Sequence, residues 1–196
     1  MKNKKALFLI IIGIILIISA LYLQLHNNYE DIKAGKESKE VVEVIQEELN
    51  TQEIKEDSDK ETIKVNGDEY IGIINIPSLN VELPVMSDWS YEKMKKSPAR
   101  YYGSLENNDL VICAHSYKNF FRYIKNLVKG DVVVFTDING NKYLFEVKVV
   151  EILKPENIKE MIESEFDLTL FTCTYDSQNR VTVRLNRVNN ISKIEK

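Results

Sequence analysis

Positive charge, histidine, cysteine and repetition are what this sequence has little of. Its 26 Lys and Arg are outnumbered by 30 Asp and Glu, for a formal charge of -4. No basic cluster alternating with aromatics follows the N-terminus, so no nucleic-acid partner is expected. Only 2 histidines and 2 cysteines are present, without the paired spacing of a zinc site. Asp57-Ser58-Asp59 lacks the later glycine and glutamate of a calcium loop, and neither a metal nor any other cofactor is expected. Two cysteines allow at most one disulfide, Cys113 to Cys173, in place of a disulfide framework. No internal repeat or low-complexity tract is evident, and no second apolar span follows the first.

That first span runs from Ala6 to Leu25, uncharged and mostly apolar. As a helix of about 1.5 Å rise per residue it matches the roughly 30 Å hydrocarbon core of a bilayer. Membrane lipid is therefore an expected partner. Lys2, Lys4 and Lys5 precede it and Glu30 and Asp31 follow, which predicts a cytoplasmic N-terminus and an extracellular remainder. A cleaved secretory signal is the alternative. Ile18-Ser19-Ala20 lacks the first small residue of a cleavage site, which favours an uncleaved anchor over residues 1–26.

Residues 27–68 turn acidic and polar and read as a spacer. Val41, Val42, Ile45 and Leu49 recur at helical spacing and predict a short amphipathic helix, docked or solvated. Lys55 to Lys64 is almost wholly polar and reads as flexible. A folded domain is expected over 69–190, able to fold from about Ile63, with a tail at 191–196. Strand signals fill it: Tyr70 to Ile76, Val81 to Val85, Leu110 to Ala114, Asp131 to Thr136, Lys142 to Leu153, Leu168 to Thr172 and Arg180 to Val188. Turn chemistry separates them, as at Asn139-Gly140-Asn141. At least seven strands in about 120 residues predict a mostly β, closed or nearly closed barrel. Helical interruptions are expected at Ser90 to Lys96, Phe120 to Leu127 and Glu156 to Glu163.

Leu168-Thr169-Leu170-Phe171-Thr172-Cys173 ends a predicted strand in a cysteine, and Arg180 opens the next. Thr169, Phe171 and Cys173 share one face, and a short connection can return Arg180 beside the sulfur. His115 closes the Leu110 to Ala114 strand. A thiol nucleophile, an imidazole and a guanidinium at strand ends suit covalent acyl transfer, in which Cys173 attacks a peptide carbonyl, His115 moves the proton and Arg180 holds the oxygen. Arg184 shares the face of Arg180 and is its rival, about 13 Å further along the strand. Arg187 has the opposite parity and is expected at the surface. Thr172, Ser116 and Asn119 flank the centre and are candidate substrate contacts. The long connection Lys154 to Asp167 lies where loops over a barrel mouth shape binding. A Cys113–Cys173 disulfide would consume the nucleophile and leave a silent domain.

Thr169-Leu170-Phe171-Thr172-Cys173 with Arg180, and His115 upstream, resemble the signature of the sortases, membrane-anchored cysteine transpeptidases. Ile76 to Val85 and Ser97 to Ser104 add weaker matches. The resemblance covers roughly Tyr70 to Val188 and departs at Ala114, where many members have glycine. It implies a sortase-type barrel of seven to eight strands and cleavage of an LPXTG-like C-terminal sorting signal on exported proteins through a thioacyl intermediate. Transfer to an amine on peptidoglycan precursor or on a pilin would follow. It also implies that the Lys154 to Asp167 loop reads the sorting peptide. The pilus-assembly lid triplet Asp-Pro-aromatic is missing, so a cell-wall-anchoring, class B-like member fits better. The rivals are a silent membrane-tethered binding domain on the same barrel and a thiol peptidase that passes the acyl group to water.

Overall fold

The computed structural model describes residues 2–52 and 60–188. The expected tail at 191–196, Asp57-Ser58-Asp59 and the first half of the polar stretch from Lys55 to Lys64 lie outside the described residues. Packing divides the chain into two units, 1–33 and 34–196.

The first unit is the N-terminal part of α1, a helix over Lys2–Gln52. Leu7 to Ile12, Ile14 to Ile18, Leu21 and Leu23 are all exposed. A helix apolar on every side is stable only in apolar surroundings. It is long and apolar enough to cross a membrane, as the sequence predicts.

The second unit is a barrel built from nine strands: β1 (Ile63–Val65), β2 (Asp68–Ile76), β3 (Val81–Met86), β4 (Ala99–Tyr102), β5 (Leu110–Cys113), β6 (Val132–Asp137), β7 (Lys142–Leu153), β8 (Leu168–Cys173) and β9 (Arg180–Arg187). Eight of them close a ring in the order β2-β3-β4-β5-β8-β9-β7-β6, with β6 returning to β2, while β1 extends β2 as a hairpin. The predicted closed barrel is present. Closure depends on Gly72, which pairs with Asp137; a Cβ there would lie 2.2 Å from the Thr136 carbonyl oxygen and 2.7 Å from the Phe135 ring. Any side chain at 72 would force the two strands apart.

Two strands escape the sequence pattern. β1 spans 3 residues and β4 spans 4, and neither has the continuous apolar run that marks the equally short β5. The Asn66-Gly67 turn was the signal for β1, since both residues take positive φ, 51° and 90°, as a tight hairpin requires. The expected helices shrink. Ser90 to Lys96 becomes α2 (Tyr91–Met94), with the Ser90 hydroxyl accepting from the Lys93 amide at 3.1 Å as an N-cap. Phe120 to Leu127 is turns and a 3-10 segment at Ile124–Asn126, and Glu156 to Glu163 becomes α3 (Ile158–Ile162).

Three apolar clusters follow from strand alternation. Leu110, Ile112, Leu168, Leu170, Val183 and Leu185 point into the barrel with Phe120, Phe135 and Phe145. The opposite faces are covered from outside in two places. Val41, Val42 and Ile45 of α1 lie over Ile63, Val65, Tyr70, Ile73, Met86 and Cys113. The helix expected at Val41 to Leu49 is thus the C-terminal part of α1, and it docks rather than standing in solvent. Met161 of α3 covers Val111 and Leu153. Tyr101 and Phe171 pack against both outer clusters.

Burial under α1 pushes the Cys113 thiol from 9.0 up to about 12 and the Tyr70 hydroxyl from 10.0 up to about 12. Both groups keep their protons longer when folded, so their contribution is complete below about pH 9 and is lost as pH rises toward 12. Urea midpoints measured at pH 8, 9.5 and 11 should fall in that order. A midpoint that is flat or rises above pH 9 would contradict this burial.

Candidate active site

The pairing of β5, β8 and β9 brings the expected residues together. β8 and β9 run antiparallel with Cys173 opposite Arg180. β5 and β8 run parallel with Cys113 opposite Phe171, and the Ala114 amide continues the ladder by donating to the Phe171 carbonyl at 3.2 Å. Two residues further along each segment, the same register carries His115 level with Cys173. Imidazole, thiol and guanidinium therefore leave the ends of three adjacent strands at one rim of the barrel. His115 is exposed, and Cys173 and Arg180 are half-buried, so all three can meet a substrate.

The sharp turn between Cys173 and Arg180 is held by its own hydrogen bonds. The Thr174 amide donates to the Asn179 carbonyl at 2.9 Å and the Ser177 amide to the Thr174 carbonyl at 2.8 Å. The Thr174 hydroxyl donates to Asp176 and accepts from the Asn179 amide. Bonding to that hydroxyl and to the Gln178 amide holds the Asp176 carboxyl below the usual carboxylate range. Arg180 bonds the carbonyls of Asn179 at 3.1 Å and Ser177 at 3.4 Å through Nη1. Both bonds come from one nitrogen of a guanidinium that has five N–H donors.

Thr172, a candidate substrate contact, is buried on the interior face, and its hydroxyl donates to the Ala114 carbonyl at 2.8 Å. It ties the segment that carries His115 to the Cys173 strand. Ala114 is itself packed in the interior cluster, so the barrel accommodates its methyl group. Ser116 is half-buried and its carbonyl accepts from Arg122 Nε at 2.9 Å. Asn119 is exposed and stands against Gly35 of α1.

Arg184 is no rival at the sulfur. It is 3% exposed and its fork is committed: Nε to Glu151 Oε1 at 2.8 Å, Nη1 to Thr169 Oγ1 at 3.0 Å and to the Met161 carbonyl at 3.1 Å, Nη2 to the Glu160 carbonyl at 2.6 Å. These bonds fasten α3, and with it the Lys154 to Asp167 connection, to the face that carries Cys173. Arg180→Lys should lose activity with little change in stability, while Arg184→Lys should lower stability by about 2 kcal/mol or more, because a single ammonium cannot replace the planar fork in a buried network. Urea unfolding and peptide turnover of both variants check this; the opposite ranking would exchange the two roles. Arg187, expected at the surface, is half-buried, with its guanidinium 4.6 Å from the Tyr143 ring centroid.

The disulfide alternative does not fit. Both cysteines are free, and Cys113 faces Phe171, not Cys173. One strand spacing of about 4.8 Å combined with two residues of about 3.3 Å puts the Cα atoms about 8 Å apart, beyond the reach of a disulfide. Cys113 is a buried hydrophobe whose thiol faces the Ala99 carbonyl at 3.5 Å.

Sequence reading missed an aromatic row on the Cys173 face. Phe171 meets Tyr101 edge to face at 5.1 Å, and Tyr101 meets Trp89 at 5.1 Å. Trp89 is the chain's sole tryptophan, but β4, which aligns Tyr101 with Phe171, was too short to be recognised. Among the described residues no group of three His, Cys, Asp or Glu could hold a metal ion.

Comparison with known proteins bears on the family and the fold. The family model of the sortase domain matches residues 74–188. Sortase D of Bacillus subtilis (strain 168) is 24% identical over 179 residues, covering 88% of this chain and 89% of that protein. The solved Clostridium perfringens sortase D5 transpeptidase superposes with a TM-score of 0.60 at 19% identity, covering 79% of this chain and 99% of the other. A sortase C of Clostridium perfringens, solved with the C-terminal cell wall sorting motif, superposes at 0.56 with 23% identity, over 77% of this chain and 91% of the other. With the family model spanning more than half of its 196 residues, this chain belongs to the sortase family.

Proposed function

We propose that the chain cuts the sorting signal of exported proteins through Cys173 and passes the acyl group to an amine of the cell wall. The observation that carries this reading is the meeting of His115, Cys173 and Arg180 at the ends of neighbouring β5, β8 and β9. The Cys173 thiolate attacks the scissile carbonyl carbon and forms a C–S bond. The tetrahedral oxygen takes its hydrogen bonds from the Arg180 guanidinium. As the C–N bond breaks, His115 gives its proton to the departing amine, leaving a thioacyl enzyme. The incoming amine attacks the same carbon, gives a proton to His115 and releases the thiolate. Phe171, Tyr101 and Trp89 form the apolar floor along which the peptide approaches, and α3 forms its wall.

An LPXTG-like motif is the donor expected from the family. The sortase C neighbour carrying its own C-terminal sorting motif supports a C-terminal peptide as the ligand of this rim. A peptidoglycan-precursor amine is the proposed acceptor, and Lys2, Lys4 and Lys5 ahead of the apolar run support a catalytic unit outside the cell.

The test is a library of C-terminal sorting peptides offered to the full chain in detergent micelles, with and without amine acceptors, and read by mass spectrometry. A thioacyl adduct on Cys173 that resolves to an amide product supports the transpeptidase. Hydrolysis alone, unchanged by any amine, would make the protein a thiol peptidase. No adduct with any peptide would leave a binding domain.

A further inference from the structure

The residues after His115 form no regular element up to the 3-10 turn at Ile124–Asn126. What shapes this loop is packing. The His115 ring lies 4.4 Å from the Tyr117 ring, and Tyr117 lies 5.5 Å from Phe120. Tyr117 and Phe120 belong to the interior cluster, and so does Ala34 of α1. The next residue, Gly35, approaches the loop closely. A Cβ on it would lie 2.9 Å from the Cβ, Cγ and Nδ2 of Asn119.

Rotating χ1 of Asn119 can move its amide but not its Cβ, which travels only with the backbone. The helix has little freedom to yield instead. The Ser38 hydroxyl, one turn on, donates to the Lys96 carbonyl at 2.8 Å, and Val41, Val42 and Ile45 are buried beneath. A glycine inside a helix costs roughly 0.5–1 kcal/mol relative to alanine. Here the close approach of Asn119 accounts for it.

We propose that the Ala34 to Ser38 turn of α1 is the seat of the loop that carries His115, so that this helix positions the proton carrier and is not only a tether. Gly35 and Asn119 act through the loop and touch no substrate, which makes them positioning residues. They lie outside and inside the matched sortase domain respectively, Gly35 ahead of residue 74 and Asn119 within 74–188. The inference rests on the reading of His115 as the group that moves the proton, but its structural half can be tested alone.

The experiment compares the full chain in micelles with Gly35→Ala, Asn119→Gly and the double variant. The chain has 2 histidines, and a His26→Gln control assigns the imidazole NMR signals. Gly35→Ala should move the His115 signals and leave those of His26 in place. It should lower kcat roughly ten- to a hundredfold, the scale of a reacting group displaced by about 1 Å, with KM within about twofold and a cooperative thermal transition retained. Asn119→Gly added to Gly35→Ala should return the His115 signals and restore kcat to the level of Asn119→Gly alone. Unmoved His115 signals in Gly35→Ala, or a double variant no better than Gly35→Ala, would overturn the proposal. If the parent turns over no peptide at all, the transpeptidase reading falls, while the NMR comparison still decides the role of the helix.

Discussion

Replacing Cys173 by alanine is expected to abolish both cleavage of a sorting peptide and its transfer to an amine, with unfolding midpoints close to the parent's. The thiol supplies the only bond to the acyl group, so its loss removes the two-step path entirely. Its packing contribution is small, because Cys173 is half-buried at the barrel rim and exchanging one sulfur for a hydrogen there alters stability by about 1 kcal/mol or less. Intact-mass measurement gives the sharper reading. The parent incubated with peptide and no acceptor should gain the acyl mass on Cys173, and Cys173→Ala should gain nothing. His115→Ala should form that adduct slower by about a hundredfold or more, since the leaving amine then departs without its proton donor. Turnover retained by Cys173→Ala would remove the whole covalent scheme, including the roles given to His115 and Arg180.

The second large effect concerns where the catalytic unit begins. A chain starting at Ile63 loses Val41, Val42 and Ile45 and exposes Tyr70, Ile73, Met86 and Cys113 beneath them. Three buried aliphatic side chains at about 1.5–3 kcal/mol each amount to much of the 5–15 kcal/mol that keeps a domain folded. The Ile63 chain is therefore expected to be unfolded or loosely packed at 25 °C. A chain starting at Ala34 keeps every one of these contacts and should unfold cooperatively. Near-UV circular dichroism and urea titration of both chains give the comparison. A cooperative transition of parental midpoint from the Ile63 chain would show that α1 beyond Ala34 adds nothing to the barrel.

The closed barrel was legible because its long strands are runs rich in Val, Ile, Phe and Tyr with turn chemistry between them: β7, β8 and β9 span 12, 6 and 8 residues, enough for that composition to stand out. The short β1 and β4 were not, and with β4 went the alignment of Tyr101 and Trp89 with Phe171. The docking of α1 was equally hidden. Val41, Val42, Ile45 and Leu49 make the same apolar stripe whether the helix lies on a barrel or on nothing, and no local signal names the partner of a stripe.

At the site, sequence by itself determined the chemistry: which residue types are present, that Cys173 ends one strand and Arg180 begins the next, and that one long apolar run precedes the domain. Tertiary structure decided which of two arginines on one strand face meets the sulfur. The β8–β9 register sets Arg180 against Cys173 and Arg184 against Thr169, and α3 folds down to consume the fork of Arg184. It also turned Thr172 inward onto Ala114, set Cys113 one diagonal away from Cys173, and put Gly35 against Asn119. Each of these is a relation between separate segments of the chain. Such relations are settled by strand register and by which surfaces cover one another, and neither quantity is written in the periodicity of any single segment.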